Sequence, residues 1–302
     1  MILCAGEALI DMLPRETVQG NPAYAPHAGG AVFNTAIGLG RLDVPTQFFS
    51  GISTDLFGDI LVDALAASKV DASPAERSDR PTTLAFVKLV DGQATYAFYD
   101  ENTAGRMLDT VPDVQADAYF FGGISLAVEP CANTYEALQE KVAGTAVTMI
   151  DPNIRPSFIK DEHVYRKRVG GMVARADIVK MSDEDMEWLL GGSDMAAKAQ
   201  DLIAEGVKLV CVTEGAKGVT GYTKNGATFV AADKVEVVDT VGAGDTFNAG
   251  LLAGLHRTGV LTKDGLDKMT EDQLQQALSL GARAAAVTVS RAGANPPWTG
   301  EV

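Results

Sequence analysis

Short apolar segments alternate with helical patterns along nearly the whole length of this 302-residue chain. Six of these segments are interpreted as buried strands, because each is a brief apolar run. They are residues 2–5, 46–50, 118–121, 147–150, 178–181 and 209–212. Helical patterns lie between several of them, as the crossovers between parallel strands require. The order predicts an α/β domain in three layers, with helices on both faces of a mainly parallel sheet.

The chain carries two hairpin signals, Asp91-Gly92 between the strand patterns 82–90 and 93–99, and Asn225-Gly226 between 219–223 and 227–230. The first signal interrupts the α/β order early. Its strands therefore either project as a separate small sheet or form an edge of the main sheet. A projecting sheet beside a ligand site would act as a lid that excludes water from the reaction.

The chain is strongly acidic, with a formal net charge of −15 from 25 basic and 40 acidic residues. Such a surface repels nucleic acid and anionic membranes, so neither is an expected partner. It also repels a nucleotide, and a nucleotide site would therefore need local positive charge and a metal ion. The three cysteines, Cys4, Cys131 and Cys211, have no metal-binding spacing, and we interpret them as reduced thiols of a cytoplasmic protein.

A glycine-rich turn late in the chain is the strongest indication of a reaction. Residues 234–238 alternate polar and apolar, as a half-buried strand does, and a helical pattern follows Gly242-Ala243-Gly244. Glycines at a helix start leave backbone N–H groups open, and the partial positive charge there favours a phosphate. Asp245 lies in the same turn, where it either caps the helix or acts as a base. A base beside an anion hole is what phosphoryl transfer to an alcohol requires.

Polar residues near the start of the chain form a second candidate site. Asp11 follows the first strand, at the edge of the sheet where ligands of α/β proteins gather. Gly29-Gly30 open a helix, and Asn34 lies one turn into it. Asp11 and Asn34 are suited to hydrogen-bond the hydroxyls of a sugar; the alternative is a solvated loop residue and an ordinary glycine loop.

Three further strand ends carry candidate ligands. Two prolines stiffen the loop 151–156 and fix the directions of Asn153 and Arg155. Arg155 offers a permanently charged donor for phosphate, although a rigid turn without a ligand fits the same sequence. Ser182 and Asp185 either hold Mg²⁺ through its water shell or cap the next helix. The loop 213–218 ends its strand without starting a helix, which suits a nucleotide lying across it.

These segments, in this order, resemble the ribokinase-like (PfkB) family of carbohydrate kinases. Residues 239–247 match the family's C-terminal signature closely, and residues 29–34 match its N-terminal signature. Within the family, residues 6–11 and 151–156 are most similar to those of fructokinases. The resemblance covers nearly the whole chain.

The resemblance implies the ribokinase-like version of the three-layer α/β/α fold, with residues 1–302 as a single domain. It implies a small β-sheet lid in two segments, near residues 12–30 and 82–104. Asp245 would be the base, and Arg155 would lie near the transferred phosphate. The anion hole would be built by Gly242, Ala243 and Gly244.

The resemblance also implies the ligand contacts. The sugar contacts are Asp11, Gly29, Gly30, Asn34 and the lid residue Phe98. The nucleotide contacts are Thr213, Gly215, Gly218, Ser182 and Asn153. The cofactors would be ATP with Mg²⁺ held at Asp185, and K⁺ at Asp239 next to the loop 290–293.

Two places depart from the family pattern. Ser182 and Asp185 stand where the family's metal-binding motif has Asn and Glu. Asp100-Glu101 stand in the lid where many fructokinases carry Arg, so we expect negative charge beside the sugar.

The sequence thus predicts an ATP-dependent kinase that phosphorylates a primary hydroxyl, with D-fructose, converted to fructose 6-phosphate, as the first choice of sugar. 2-Keto-3-deoxygluconate, ribose or a similar sugar are the alternatives, because related kinases share the scaffold. A sugar acid needs cationic lid residues, which Asp100-Glu101 do not supply. A non-catalytic sugar or nucleotide sensor is the alternative of another class, but a sensor has no need of Asp245. A homodimer formed through the lid is a further expectation.

Overall fold

The computed structural model describes residues 1–90 and 93–302. The strands of these residues are β1 (Ile2–Ala5), β2 (Leu9–Glu16), β3 (Pro22–Gly29), β4 (Thr46–Phe49), β5 (Gly51–Ser53), β6 (Val70–Asp71), β7 (Glu76–Ser78), β8 (Leu84–Val90), β9 (Gln93–Tyr99), β10 (Ala118–Gly122), β11 (Val147–Asp151), β12 (Ile178–Ser182), β13 (Leu209–Thr213), β14 (Gly218–Thr223) and β15 (Gly226–Ala231). The α-helices of the same residues are α1 (Ala31–Arg41), α2 (Leu56–Ala67), α3 (Cys131–Val142), α4 (Glu162–Arg175), α5 (Asp183–Leu190), α6 (Met195–Glu205), α7 (Ala243–Arg257), α8 (Lys263–Asp267) and α9 (Glu271–Val289).

Nine of the described strands form the main sheet, in the order β15-β14-β13-β12-β11-β10-β1-β4-β6. Neighbours from β13 to β6 pair in parallel, whereas β14 and β15 pair antiparallel at one edge. All the predicted buried strands lie in this sheet, and the second predicted hairpin forms its antiparallel edge. The prediction of a mainly parallel sheet is therefore confirmed.

Helices cover both faces of the main sheet, because its strands are apolar on both sides. Successive side chains of a strand point to opposite faces. In β1, Ile2 belongs to the core cluster that includes Phe33 of α1, whereas Leu3 belongs to the cluster that includes Tyr135 of α3. These two clusters are the interfaces of a three-layer α/β/α fold. Across the described ranges, every helix is too short or too polar to span a bilayer.

A second sheet, in the order β3-β2-β8-β9, contains the first predicted hairpin. Its β2–β3 and β8–β9 pairs are antiparallel, whereas β2 and β8 are parallel. Of the two alternatives left open by the sequence, the separate small sheet is the one observed. The predicted turn Asp91-Gly92 lies outside the described residues.

The helix α7 carries Asp245 and runs through the core. Its residues 245–255 are all buried. The helix α9 packs closely along it at two glycines, since a Cβ at Gly250 would lie only 2.6 Å from the Cα of Gly281. Close packing of this kind fixes the first turn of α7 relative to the main sheet.

The strand expected at residues 234–238 is not formed, and this prediction was wrong. These residues are exposed and irregular, and no strand of the described chain lies beside them. The amides of Val238 and Asp239 donate instead to the carbonyl of Val289, at 2.8 and 3.2 Å. An alternating pattern describes a strand only where a neighbour supplies its hydrogen bonds, and here the chain enters α7 from a loop.

Candidate active site

A cavity of about 320 Å³ lies at the carboxyl ends of β1, β10 and β11, beside the first turns of α1 and α7. Ten of the residues predicted from the sequence line it together: Asp11, Gly30, Asn34, Phe98, Asn153, Arg155, Gly242, Ala243, Gly244 and Asp245. They come from distant parts of the chain, and the parallel sheet brings them to one edge, as expected for this fold class.

The first turn of α7 forms one wall of the cavity. Gly242 caps the helix with φ 76°, and a Cβ there would lie 2.6 Å from the Cβ of Ala294. The amide of Ala243 donates to the carbonyl of Thr240 at 3.3 Å. Within residues 1–90 and 93–302, the amides of Gly244 and Asp245 have no hydrogen-bond partner. The turn therefore offers two open N–H donors, one of them from Asp245 itself.

Asp245 is only 7% exposed and accepts hydrogen bonds from two neighbouring residues of α1. Asn34 Nδ2 donates to its Oδ2 at 2.9 Å, and Thr35 Oγ1 donates to its carbonyl at 3.1 Å. Burial raises the pKa of Asp245 to about 7, against the opposing effect of the Asn34 hydrogen bond. A carboxyl group with such a pKa exchanges its proton near neutral pH, which suits a general base better than a simple cap.

A buried polar cluster lies beneath this turn, and sequence reasoning had given it no role. Lys180 Nζ donates to Asp151 Oδ2 at 2.9 Å, and Asn248 Nδ2 donates to the same oxygen at 2.7 Å. Burial lowers the pKa of Lys180, but the charge of Asp151 and more distant carboxylates outweighs burial and raises it. The available signal was a lysine inside the otherwise apolar strand 178–181.

Asp11 faces the cavity from β2 and is half-buried. In the described parts of the chain its carboxylate has no hydrogen-bond or ion-pair partner, and burial raises its pKa to about 6. Gly29 does not line the cavity, but a Cβ there would lie 2.2 Å from Asp11 Oδ2. The glycine therefore makes room for the carboxylate on the neighbouring strand.

Glu7 is a site residue to which the sequence interpretation gave no role. Its Oε1 accepts from the amide of Ala31 at 2.9 Å and its Oε2 accepts from the amide of Ser125 at 3.3 Å. Burial raises its pKa above the ordinary value. Gly30 and Gly123 pack directly on it, since a Cβ at Gly123 would lie 2.0 Å from Oε1. Glu7 thus joins the start of α1 to the loop after β10 under the cavity.

The small sheet contributes Phe98 from β9, whose ring lies 4.8 Å from that of Phe158 in an edge-to-face contact. Asp100 follows this strand but does not line the cavity. It is buried, and Arg106 Nη1 donates to its Oδ2 at 3.0 Å. The negative charge expected beside the sugar is therefore paired with a cation, and Glu101 is also outside the cavity lining.

Arg155 is exposed at the rim of the cavity, next to Asn153, which adopts φ 44°. Its Nη1 donates to the carbonyl of Ile154 at 3.0 Å. The loop is anchored beneath by Asp185, whose Oδ1 accepts from the amide of Ile154 at 3.2 Å. Burial and repulsion from Asp151 raise the pKa of Asp185 to about 6.

The remaining predicted nucleotide residues lie along the same edge, outside the cavity lining. Ser182 and Thr213 are register partners at the ends of β12 and β13, and Ser182 Oγ accepts from the amide of Asp185 at 3.0 Å as a helix cap. Gly215 and Gly218 have φ values of 53° and 130°. A Cβ at Gly218 would lie 2.1 Å from the carbonyl oxygen of Val230, so only glycine fits this turn.

Asp239 fixes the loop that leads into α7. Its Oδ1 accepts from the amide of Val241 at 3.0 Å, and its Oδ2 accepts from the amide of Gly293 at 2.9 Å. This brings the loop 290–293 beside the start of α7, as the sequence resemblance implies. In the described residues, no three His, Cys, Asp or Glu side chains converge as a metal-binding group.

Comparison with known proteins gives the family. The profile of the pfkB family carbohydrate kinases matches residues 1–299. The chain belongs to this family. The predicted carbohydrate kinase family and the ribokinase-like fold are thereby confirmed.

Relatives and solved structures agree with this assignment. The chain is 54% identical over 279 residues to a fructokinase of Rhizobium leguminosarum bv. trifolii, covering 91% of this chain and 86% of that protein. The structure of a Xylella fastidiosa fructokinase with bound ATP superposes with a TM-score of 0.88 at 30% identity, covering 97% and 93% of the two chains. A Vibrio cholerae O395 fructokinase bound to fructose, ADP and calcium gives a TM-score of 0.84 at 26% identity, covering 97% and 94%.

Proposed function

We propose that this protein is an ATP-dependent fructokinase, which transfers the γ-phosphoryl group of ATP to the 6-hydroxyl of D-fructose. The observation that carries the proposal is the first turn of α7, where a buried carboxyl group of pKa about 7 and two open amides face one cavity. The similarity to fructokinases of three bacteria supports the choice of sugar.

In the proposed reaction, Asp245 accepts the proton of the 6-hydroxyl as its oxygen attacks the γ-phosphorus. The new oxygen–phosphorus bond forms while the bond from the γ-phosphorus to the β-phosphate oxygen breaks, and ADP leaves with that electron pair. The amides of Gly244 and Asp245 stabilise the negative charge that is shared among the phosphoryl oxygens. Arg155, at the rim, adds a cation that can donate to the same phosphate.

Fructose would be held by hydrogen bonds from its hydroxyls to Asp11 and Asn34. Asp11 offers an open carboxylate, and Asn34 retains its Oδ1 as an acceptor while its Nδ2 binds Asp245. Among the side chains that the structure describes, the cavity is lined by three acidic groups, Glu7, Asp11 and Asp245, and by one cation, Arg155. This balance repels the carboxylate of a sugar acid, which supports a neutral sugar over 2-keto-3-deoxygluconate.

ATP would lie along the carboxyl ends of β12 and β13, at Ser182, Thr213 and the loop 215–218. Among the described residues the amides of Gly215 and Ala216 have no hydrogen-bond partner, and open amides of a glycine-rich turn suit phosphates. The carboxylate of Asp185 would hold Mg²⁺, which fits because Mg²⁺ commonly uses one or two carboxylates in proteins. When bound, it would neutralise charge on the phosphates. K⁺ would lie by the carboxylate of Asp239 and steady the loop that leads into α7.

The small sheet is proposed as a lid over the sugar and as a dimer interface. Phe98 reaches the cavity from one face of this sheet. On the opposite face, the rings of Tyr24, Phe86 and Tyr99 form a row with centroid distances of 5.0 and 5.4 Å. Tyr24 and Tyr99 are exposed, so a second copy of the chain is a suitable cover for this row.

A cytoplasmic location is proposed as well. The thiols of Cys4, Cys131 and Cys211 are free and buried. Reduced, unpaired cysteines are typical of proteins kept in a reducing compartment.

The proposed function is tested by measuring ADP release from MgATP with fructose, ribose and 2-keto-3-deoxygluconate. We expect the highest kcat/KM with fructose, falling as the pH drops below about 7 because Asp245 becomes protonated. The variant Asp245→Asn should lower kcat by roughly 10³-fold or more while fructose still binds. Asp264→Asn, in the first turn of α8 with a 91% exposed side chain, is the matched control. Near-normal turnover by Asp245→Asn would contradict the assignment of Asp245 as the base. If the wild type turned over none of the sugars, a non-catalytic sensor would be favoured.

A further inference from the structure

The buried cluster of Lys180, Asp151 and Asn248 touches the start of α7, yet none of its members has a part in the proposed reaction. Lys180 and Asp151 are 5% and 2% exposed. A Cβ at Gly244 would lie 3.2 Å from Lys180 Nζ, so the ammonium group packs directly under the turn with the open amides. The absence of a side chain at Gly244 is what allows this approach.

Fold stability is a weak explanation for this cluster. Removing an ammonium and a carboxylate from water costs several kcal/mol for each ion, which their attraction often does no more than offset. The Oδ1 of Asn248 is also buried without a partner among the described residues, which is a further cost. Apolar side chains of similar size would fill the same space more cheaply, so a role at the site is the better explanation.

We propose that Lys180, held in place by Asp151, is a positioning residue of the phosphoryl transfer and supplies a fixed positive charge beneath the first turn of α7. It acts through two neighbours. Its charge favours the ionised, proton-accepting form of Asp245, and it reinforces the positive end of the helix that meets the phosphate. This inference rests on the proposed function, in which Asp245 is the base.

Several groups face Asp245 and set its protonation. They are Asn34 from α1, Asp151 from β11, Lys180 from β12 and Glu7 from the segment between β1 and β2, with Asp11 and Arg155 lining the same cavity. Burial raises the pKa of Asp245 most, the charge of Asp151 raises it further, and the charge of Lys180 lowers it. Removing Lys180 and removing Asp151 should therefore act in opposite directions.

These opposite effects provide a test, because a cluster with only a structural role would not move the pH profile in opposite directions in the two variants. In Lys180→Met we expect the acid limb of the kcat/KM profile to move up by about one pH unit, and in Asp151→Asn we expect it to move down. The double variant loses one charge of each sign, so its acid limb should return close to that of the wild type. Lys208→Met, which breaks the surface pair with Asp267, is the matched control and should leave the limb unchanged.

The same titration can be followed without catalysis, by the ¹³C shift of the Asp245 carboxyl carbon, identified by its loss in Asp245→Asn. Shifts of opposite sign in the two single variants support the inference even if the sugar has been chosen wrongly. An unmoved Asp245 titration in Lys180→Met, or shifts of the same sign in both variants, would overturn it. If Lys180→Met does not fold, the downward shift in Asp151→Asn and its cancellation in the double variant decide the question.

Discussion

The two ends of the candidate site differ in the groups that they offer to a ligand: side chains at one end and mainly backbone at the other. The proposed acceptor side, made of Glu7, Asp11 and Asn34, consists of side chains that are buried or half-buried against the main sheet. The proposed donor side, made of Ser182, Thr213 and the loop 215–218, lies at strand ends and consists mainly of backbone, with Gly215 exposed. The positions of a sugar's hydroxyls are distinguished by side chains held in fixed places. A phosphate chain, by contrast, can be bound by any backbone amides that lack a partner. Substitutions should therefore be far more damaging on the acceptor side.

Among substitutions confined to one side, the largest effect is expected for Asp11→Ala. It removes the open carboxylate that we assign to the sugar hydroxyls, so kcat/KM for fructose should fall by about 10²-fold or more. The KM for ATP should change by no more than about twofold. Steady-state kinetics with each substrate varied in turn measures both values. A rise in the KM for ATP as large as the loss in kcat/KM for fructose would contradict the division between the two sides. Asp11→Asn, which keeps one acceptor oxygen, should lower kcat/KM for fructose less than Asp11→Ala does.

A second prediction concerns stability at the point where the two sides meet. The pKa of Asp245 is raised from 3.8 to about 7 in the folded protein. Folding thus favours the protonated carboxyl group, and the wild type loses stability as the pH rises from about 4 to about 7. Asp245→Asn cannot ionise, so it should be more stable than the wild type by about 4 kcal/mol at about pH 8.

Urea unfolding at about pH 8 and about pH 4 checks this linkage. The free energy of unfolding of Asp245→Asn should exceed that of the wild type at the higher pH and match it at the lower pH. A difference that is the same at both values would mean that titration of Asp245 is not its cause.

Glu7→Gln should have an intermediate effect. Glu7 accepts from the amides of Ala31 and Ser125. Glutamine keeps only one oxygen, and its NH₂ group must then face an amide donor. We expect the KM for fructose to rise about tenfold, with a loss of about 1 to 3 kcal/mol in the free energy of unfolding. Glu16→Gln, at the exposed end of β2, is the control. If the two variants have the same KM for fructose, Glu7 does not belong to the acceptor side.

The smallest effect is expected on the donor side, for Gly215→Ala. A Cβ there meets nothing within 4 Å, and the cost is the strain of alanine at φ 53°, about 1 kcal/mol. The KM for ATP should rise less than about threefold, because the backbone amides remain. Gly218→Ala offers a contrast in thermal unfolding, since its Cβ would lie 2.1 Å from the carbonyl oxygen of Val230 and should destabilise the fold more. A larger loss of ATP binding in Gly215→Ala would show that this side also depends on side-chain space.

Local patterns were sufficient to predict the main sheet and the antiparallel strand pairs of both hairpins, because strands leave their signal in adjacent residues. The same reasoning failed at residues 234–238, since alternation does not reveal whether a partner strand exists. Whether the first hairpin would join the main sheet also depended on distant pairing, here between β2 and β8.

The candidate site divides in the same way. Asn34 and Asp245 were predicted because each lies at a helix start beside glycines, and Asp11 because it follows the first strand, although it lies within β2 of the small sheet. Glu7 bonds to Ala31 and Ser125, which are 24 and 118 residues away, so no local pattern could give its role. The pairing of Asp100 with Arg106 likewise depends on the folded loop, and it reverses what the charge of Asp100 alone suggested.

The short join between β1 and β2 links the two sheets in a specific way. Only residues 6–8 separate a central strand of the main sheet from the strand that carries Asp11. If the small sheet moves as a rigid unit, the backbone would bend within residues 6–8 and Asp11 would move with the sheet. Binding of the sugar by Asp11 and exclusion of solvent by the small sheet would then occur in one movement. A sugar without the hydroxyl that Asp11 binds would leave the small sheet in its open position.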